Sequence, residues 1–482
     1  MPALEGKADL AGKRRYFRLC PFRESCPLEG RAALVHSSCS TNTWTAAMNT
    51  GVARVSIIAM VLLATLGISS AQQAAKLPAG GPVFSNTGHD ADAYGADEGY
   101  PLGTLATGAE MRHLVATYSH FDELTPARIV ARSVAASSFQ RAAEPEIYYS
   151  FGGERRTIAD YLSRQPTTGL LLARDDTILY EHYQYARSDR DRFLSQSMAK
   201  TITAMLIGIA TADGLIKSID DDVATYVTAL AGTEYGKTPI RALLHMSSGV
   251  DFKETYDGQD DIARLGRDLF GRPGKAPVVS VAQFNTRGAP PDTRWHYASS
   301  ETEILGLILR AVTGKPVADY LSEKIWQRIG TEADASWAID GTGQEVTFCC
   351  FNAVLRDYAR FGRLLAHDGM WNGREIVPRQ WLIDATTVRS SDTHLAPGVA
   401  TKYYGYGYQI WLLPGAERRF VLLGIRGQMM PFSWSKPKMR QGSDFGFGHV
   451  CDMPTDPVKM SAYRRRLEVV DACSADANVP KR

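Results

Sequence analysis

The chain has 482 residues, 22% of them charged, with 54 Lys and Arg against 52 Asp and Glu for a formal net charge of +2. That length can bury one large core or two ordinary ones. No run of Lys or Arg is interleaved with aromatics in the way that tracks a phosphate backbone, which excludes nucleic acid as a partner. Glycine and aromatic content are those of a globular enzyme rather than of a fibrous or disordered chain. Seven cysteines are too few and too scattered for a disulfide framework. No Cys/His group has zinc-ligand spacing, so neither a metal nor another cofactor is expected.

Residues 1–47 have mixed composition. Met48 to Arg54 then supplies a positive start to an uncharged apolar stretch, Val55 to Ile68, which ends in Ser69-Ser70-Ala71-Gln72. These are the parts of a secretory signal peptide, and the stretch is too short for a comfortable membrane span. Signal peptides begin a chain, so the expected start is Met48, with 1–47 an upstream extension from a misassigned start and 48–71 the export signal. The alternative is a signal anchor with a cytoplasmic extension. Export would place the protein in the periplasm or outside the cell, with membrane contact through that signal alone. Residues 72–115, rich at first in Gly, Ala and Asp, read as a loose lead-in.

Two apolar runs between Thr167 and Tyr185, separated by Arg174-Asp175-Asp176, predict a β-hairpin. Ser197-Met198-Ala199-Lys200 follows, opening an apolar helix that Gly214 should end. A serine three residues ahead of a lysine lies one helical turn from it, and a partly desolvated amine there can take the hydroxyl proton. His245, alone on the apolar segment Ile240 to Met246, reads as a satisfied core residue rather than a catalytic one. Tyr256 to Asp292 turns to Gly, Pro, Asp and Arg with little periodicity, which suggests a long rim or lid loop. Tyr297 stands just before an apolar helix whose Ser300 and Glu303 have capping-box spacing and which Gly314 closes. Cys349 and Cys350 are expected to pack as small apolar groups at the head of an amphipathic helix ending near Leu365. Tyr403–Leu413 and Phe420–Met430 each read as a strand.

Ser197-x-x-Lys200, Tyr297-Ala298-Ser299 and Gly424-Ile425-Arg426-Gly427-Gln428, in that order, resemble the three motifs of serine β-lactamases and penicillin-binding proteins. The arrangement is most similar to the class C-like branch. Leu244 to Gly249 and the Glu254-Thr255-Tyr256 loop look like 6-aminohexanoate-dimer hydrolases and related carboxylesterases. The resemblance implies an α/β fold, an antiparallel sheet flanked by helices, with a mainly helical second subdomain at about 215–348 of a hydrolase domain spanning 116–430. It implies Ser197 as nucleophile, with Lys200 and Tyr297 sharing its proton. The backbone amides of Ser197 and Gln428 would form the oxyanion hole, with Gly427, Ser299 and Tyr256 contacting substrate. The substrate would be a small ester or amide.

Two departures qualify the likeness. Ile425 stands where the third motif usually has Lys or His to hold a β-lactam carboxylate, and Arg426 would face the other side of a regular strand. Simple esters or amides are therefore favoured over β-lactams. Residues 431–482 bring prolines and no strand alternation where the family has two more strands and a helix, which suggests a reading-frame change or a divergent terminus. A spurious ending would leave the strand of the third motif without a neighbour. The expected function is an exported serine esterase or linear-amide hydrolase. The alternatives are a D-alanyl-D-alanine carboxypeptidase or β-lactamase-like enzyme, and a non-catalytic penicillin-binding-type sensor.

Overall fold

A strand as apolar on both faces as Thr167–Arg174 needs a layer on each side of its sheet. The computed structural model provides both. Leu170 and Leu172 join one cluster with Ile158, Tyr161 and Leu162 of α1 (Ile158–Arg164), whereas Leu171 and Ala173 enter the main core from the opposite face. The described residues are 80–151, 153–271, 274–433 and 444–450, all within one compact unit, Pro78–Arg482. The upstream extension, the export signal and the start of the lead-in fall outside them.

Among the described residues nine strands make the principal sheet. They are β1 (Val83–Phe84), β2 (Gln140–Arg141), β3 (Thr167–Arg174), β4 (Thr177–Tyr183), β5 (Gly405–Tyr406), β6 (Trp411–Leu412), β7 (Phe420–Leu423), β8 (Met429–Ser433) and β9 (Asp444–Val450). Their order is β1-β4-β3-β9-β8-β7-β6-β5, with β2 also on β4; β1 and β2 run parallel to β4 and every other pairing is antiparallel. The β3–β4 hairpin is the one read from the sequence, turning at Asp175 and Asp176.

The other main helices are α2 (Ala199–Ala212), α3 (Ile240–Leu244), α4 (Ser299–Thr313) and α5 (Leu355–Ala366). α5 lies against β3 and β9. Between 215 and 348 the chain is mainly helical, and the strand Ala335–Ala338 joins a smaller sheet in the order Ala127–Val130, Ala335–Ala338, Phe351–Ala353, Phe193–Leu194. Gly214 and Gly314 adopt φ of 73° and 64° just beyond α2 and α4, conformations that an L side chain resists and a helix stop requires.

Several expectations are corrected. The lead-in is ordered from residue 80 onward: β1 pairs with β4, and the buried rings of Tyr94 and Tyr100 meet Tyr185 edge-on at 5.6 and 5.8 Å. Hydrophobic anchoring of those two tyrosines outweighs the local Gly and Asp content. Tyr256–Asp292 is not one loop, since it contains the helices Asp261–Phe270 and Pro277–Ala282. Leu265 and Leu269 bury one face of the first, which Asp260 caps by accepting from the amide of Ala263. Tyr403–Leu413 and Phe420–Met430 each fold into two strands around a turn rather than one strand.

Part of the tail also differs from expectation, residues 434–443 and 451–482 lying outside the described residues. Residues 431–433 complete β8, and β9 inserts between β8 and β3, so the third-motif strand does have a neighbour. Pro431 lies opposite Val421 of β7, while the partners of β8 on β9 include Met429 and Phe432 on either side of it.

α2 crosses the helix Arg379–Ala385 at Gly208, where an added Cβ would come within 2.5 Å of the Trp381 ring. Alanine normally stabilises a helix by about 1 kcal/mol over glycine. Here Gly208→Ala should instead destabilise by about 1–3 kcal/mol through overpacking. Urea unfolding that showed the variant to be more stable than wild type would refute so close a contact.

Candidate active site

Ser197 follows the strand Phe193–Leu194 and lies in a short 3-10 turn, Gln196–Met198, that runs directly into α2. The preceding residue, Gln196, is held at φ 44°, a conformation that non-glycine residues rarely adopt. Its side-chain amide donates to the Tyr118 hydroxyl at 3.2 Å, and the amide of Ser195 donates to the Phe351 carbonyl at 2.7 Å. These bonds fix the direction in which Ser197 leaves the small sheet.

Lys200 is in the first turn of α2, 1% exposed. Its Nζ donates to Ser197 Oγ at 3.0 Å and to the Phe348 carbonyl at 2.8 Å. Burial drives its pKa from 10.5 down to about 8, against the pull of the Glu254 and Glu303 carboxylates. Glu303, itself raised to about 8 by burial, is mostly protonated at neutral pH and lends little charge there. Glu254 is thus the anion that tempers the lysine.

The Tyr297 ring lies 5.1 Å from Lys200 Nζ and stacks on Trp411 at 5.6 Å. Trp295 and Tyr406 extend this aromatic wall, with centroids 4.9–5.7 Å from Trp411 or each other. The third motif is a tight turn between β7 and β8, with Arg426 at φ 67° and Gly427 at φ 96° and the Gly424 amide donating to the Gln428 carbonyl at 2.9 Å. An added Cβ at Gly424 would meet the Ser195 carbonyl at 2.7 Å, so this glycine lets the turn close on the segment carrying the nucleophile. Since Arg426 occupies a turn, the strand-face reasoning about it does not apply. Gln428 is fully buried.

Glu254 ties the remaining residues together. Its carboxylate accepts from the Ser299 amide at 2.7 Å, the Ser299 hydroxyl at 2.8 Å and the Tyr256 hydroxyl at 2.5 Å. Ser299 is buried and committed to this acid rather than turned to a substrate. Tyr256, 40% exposed, sits at the surface end of the same network. The expected Ser300–Glu303 capping box does not form. Ser300 Oγ pairs with the Tyr235 hydroxyl at 2.7 Å, Glu303 accepts from the Thr347 amide at 2.9 Å, and Glu254 instead supplies the anion at the amino end of α4.

The adjacent cysteines are also corrected. Cys349 and Cys350 are buried as expected, but they are joined by a disulfide rather than packed as free thiols. Sequence reasoning missed Glu254 as a site residue, although it stands two places before Tyr256, and missed Tyr406 and Trp411, which were hidden in a stretch read as a single strand.

An activated serine, a buried amine and a phenol from a distant segment, on a sheet with helices on both faces, define a serine hydrolase of the Ser-x-x-Lys type. A family model described as Beta-lactamase matches residues 155–437, and the chain belongs to that family. A 6-aminohexanoate-dimer hydrolase from Paenarthrobacter ureafaciens is 26% identical over 357 residues, covering 73% of this chain and 88% of that protein. A Bacillus anthracis structure, itself assigned only provisionally as a 6-aminohexanoate-dimer hydrolase, superposes with a TM-score of 0.67 at 23% identity, covering 76% of this chain and 96% of that one. EstCE1, a hydrolase with promiscuous acyltransferase activity, gives a TM-score of 0.50 at 14% identity over 64% of this chain and 94% of its own. These two structural likenesses speak for the fold.

Glu254→Gln keeps the shape of the network while removing the charge that favours the lysine ammonium. The acidic limb of the kcat/KM–pH profile should move to lower pH than in wild type. An unmoved limb in a folded variant would show that Glu254 does not act on Lys200.

Proposed function

We propose that the chain cleaves an ester or linear amide through an acyl-enzyme on Ser197. The observation that carries this reading is the buried Lys200 amine, 3.0 Å from Ser197 Oγ and brought to about 8 by desolvation. As Oγ attacks the carbonyl carbon, its proton passes to the Lys200–Tyr297 pair. The same pair returns it to the departing alcohol or amine. The backbone amides of Ser197 and Gln428 would supply the oxyanion hole, as the family resemblance implies. Water then adds to the acyl group, the pair takes a proton from it, and the acid is released as Ser197 regains its own.

The aromatic wall of Trp295, Tyr297, Tyr406 and Trp411 suits an extended apolar acyl or leaving group. The Paenarthrobacter relative's name supports a linear amide among the substrates. The sensor reading depended on a missing strand, and β9 occupies that position.

With p-nitrophenyl esters the wild type should show a burst of p-nitrophenol followed by steady turnover, and Ser197→Ala should lose at least about a thousandfold in kcat/KM. The rate should climb with pH up to about 8 and level above it, because the neutral amine is the reactive form and its share grows until the lysine is deprotonated. Equal turnover by the two proteins would end this assignment.

Export is part of the proposal, resting on the positive start, short apolar core and small-residue exit at 48–71. Amino-terminal sequencing of the exported protein should find a chain beginning after Ala71. A mature chain containing Arg14 or Arg15 would contradict it.

A further inference from the structure

A second cluster uses residues that acyl transfer leaves idle. His245 at the end of α3, Asp292 in the stretch leading to Tyr297, and His394 in the short turn Thr393–Leu395 each offer one ligand atom, and these atoms all lie within 4.8 Å of one another. We propose that His245, Asp292 and His394 bind a divalent transition-metal ion, Zn2+, which fastens the Tyr297-bearing stretch to the body of the protein.

The separations from Asp292 can be set against those of a tetrahedral site. Bonds of about 2.0–2.1 Å to nitrogen and oxygen separate ligating atoms by roughly 3.3 Å. His394 Nε2 is 3.4 Å from Asp292 Oδ1, whereas His245 Nδ1 is 2.7 Å from the same oxygen. An ion therefore needs the His245–Asp292 pair to open by roughly half an ångström, with the two imidazole nitrogens, within 4.8 Å of each other, drawn onto it.

Two further observations point to a ligand rather than to ordinary packing. His394 Nε2 is buried, and apart from Asp292 Oδ1 at 3.4 Å, longer than a good hydrogen bond, it has no partner among the described residues, a poorly satisfied position for an imidazole nitrogen unless something coordinates it. Asp292 is held at φ 57°, an uncommon choice for a non-glycine residue, and this places its carboxylate against both imidazoles. Its side chain is 26% exposed and that of His394 14%, so an ion can arrive from solvent, and water can complete the fourth position. Arg241 lies close enough to act on Asp292, but its guanidinium is paired with Asp220 at 2.7 and 3.0 Å.

The amide of Asp292 already donates to the Ser247 carbonyl, and that of His296 to the Met246 carbonyl, both at 2.7 Å. The ion would add the His394 segment to this join and so act as a positioning element for Tyr297. The ligands come from three segments distant in sequence, so no spacing motif announces them.

The test uses the tag-free chain, dialysed against zinc and then against metal-free buffer. One Zn2+ per chain should remain, and Co2+ in its place should give the visible absorption of a tetrahedral site. Asp292→Asn, whose side chain tolerates the same backbone, and His394→Ala should each weaken Zn2+ binding at least about tenfold, measured by competition with a chromophoric chelator. Zinc should raise the unfolding temperature of wild type and not of either variant. A wild type that retains no zinc, or variants that hold it as tightly as wild type, would overturn the proposal and leave a plain His–Asp hydrogen bond with a neighbouring imidazole.

Discussion

The chemistry depends on keeping one amine dry. Moving the Lys200 pKa from 10.5 to about 8 costs the folded chain on the order of 3 kcal/mol when the lysine is charged. Two hydrogen bonds, to Ser197 and to the Phe348 carbonyl, offset part of this. The reward is an amine near its own titration point, in contact with the nucleophile. Much of the surrounding structure can be understood as holding water away from that nitrogen without leaving it room to turn elsewhere.

Glycine at 424 and acid at 254 serve this end from opposite directions. Gly424 lets the turn between β7 and β8 approach the Ser195 carbonyl more closely than any side chain would permit, which brings the Gln428 region against the nucleophile's own segment. Glu254 limits the depression of the lysine while capping α4 and holding Ser299 and Tyr256. One carboxylate thus couples the start of a long helix, the surface tyrosine and the charge state of the base.

The motif residues were legible because their chemistry constrains local spacing. Ser197 and Lys200 are one helical turn apart and Tyr297 precedes a helix start, both short-range statements, whereas the turn at Gly424 to Gln428 was hidden inside a stretch read as one strand. The β3–β4 hairpin and the glycine stops of α2 and α4 were legible for the same reason. What failed involved partners distant in sequence. Ser300 and Glu303 have capping-box spacing, yet Tyr235 and Thr347 took those side chains and Glu254 took the cap. β9 alternates Phe445 and Phe447 with Gly446 and Gly448, a short pattern that its glycines obscure, and β3 and β8 present edges on both sides of it. Tyr94 and Tyr100 order a polar lead-in by reaching Tyr185, far along the chain.

The segment 347–350 shows how completely the position of Lys200 is determined. Its four successive carbonyls are all engaged: Thr347 accepts from Thr203 Oγ1 of α2, Phe348 from Lys200 Nζ, Cys349 from the Trp337 indole, and Cys350 from the Ala338 amide and the Asn352 side chain. Thr347 Oγ1 in turn donates to the Thr302 carbonyl of α4, and the bond between Cys349 and Cys350 closes the strap on itself. Lys200 is therefore held by an acceptor that α2, α4 and the smaller sheet fix jointly. An amine held this way is preorganised for its part in the proton transfer proposed for the Lys200–Tyr297 pair.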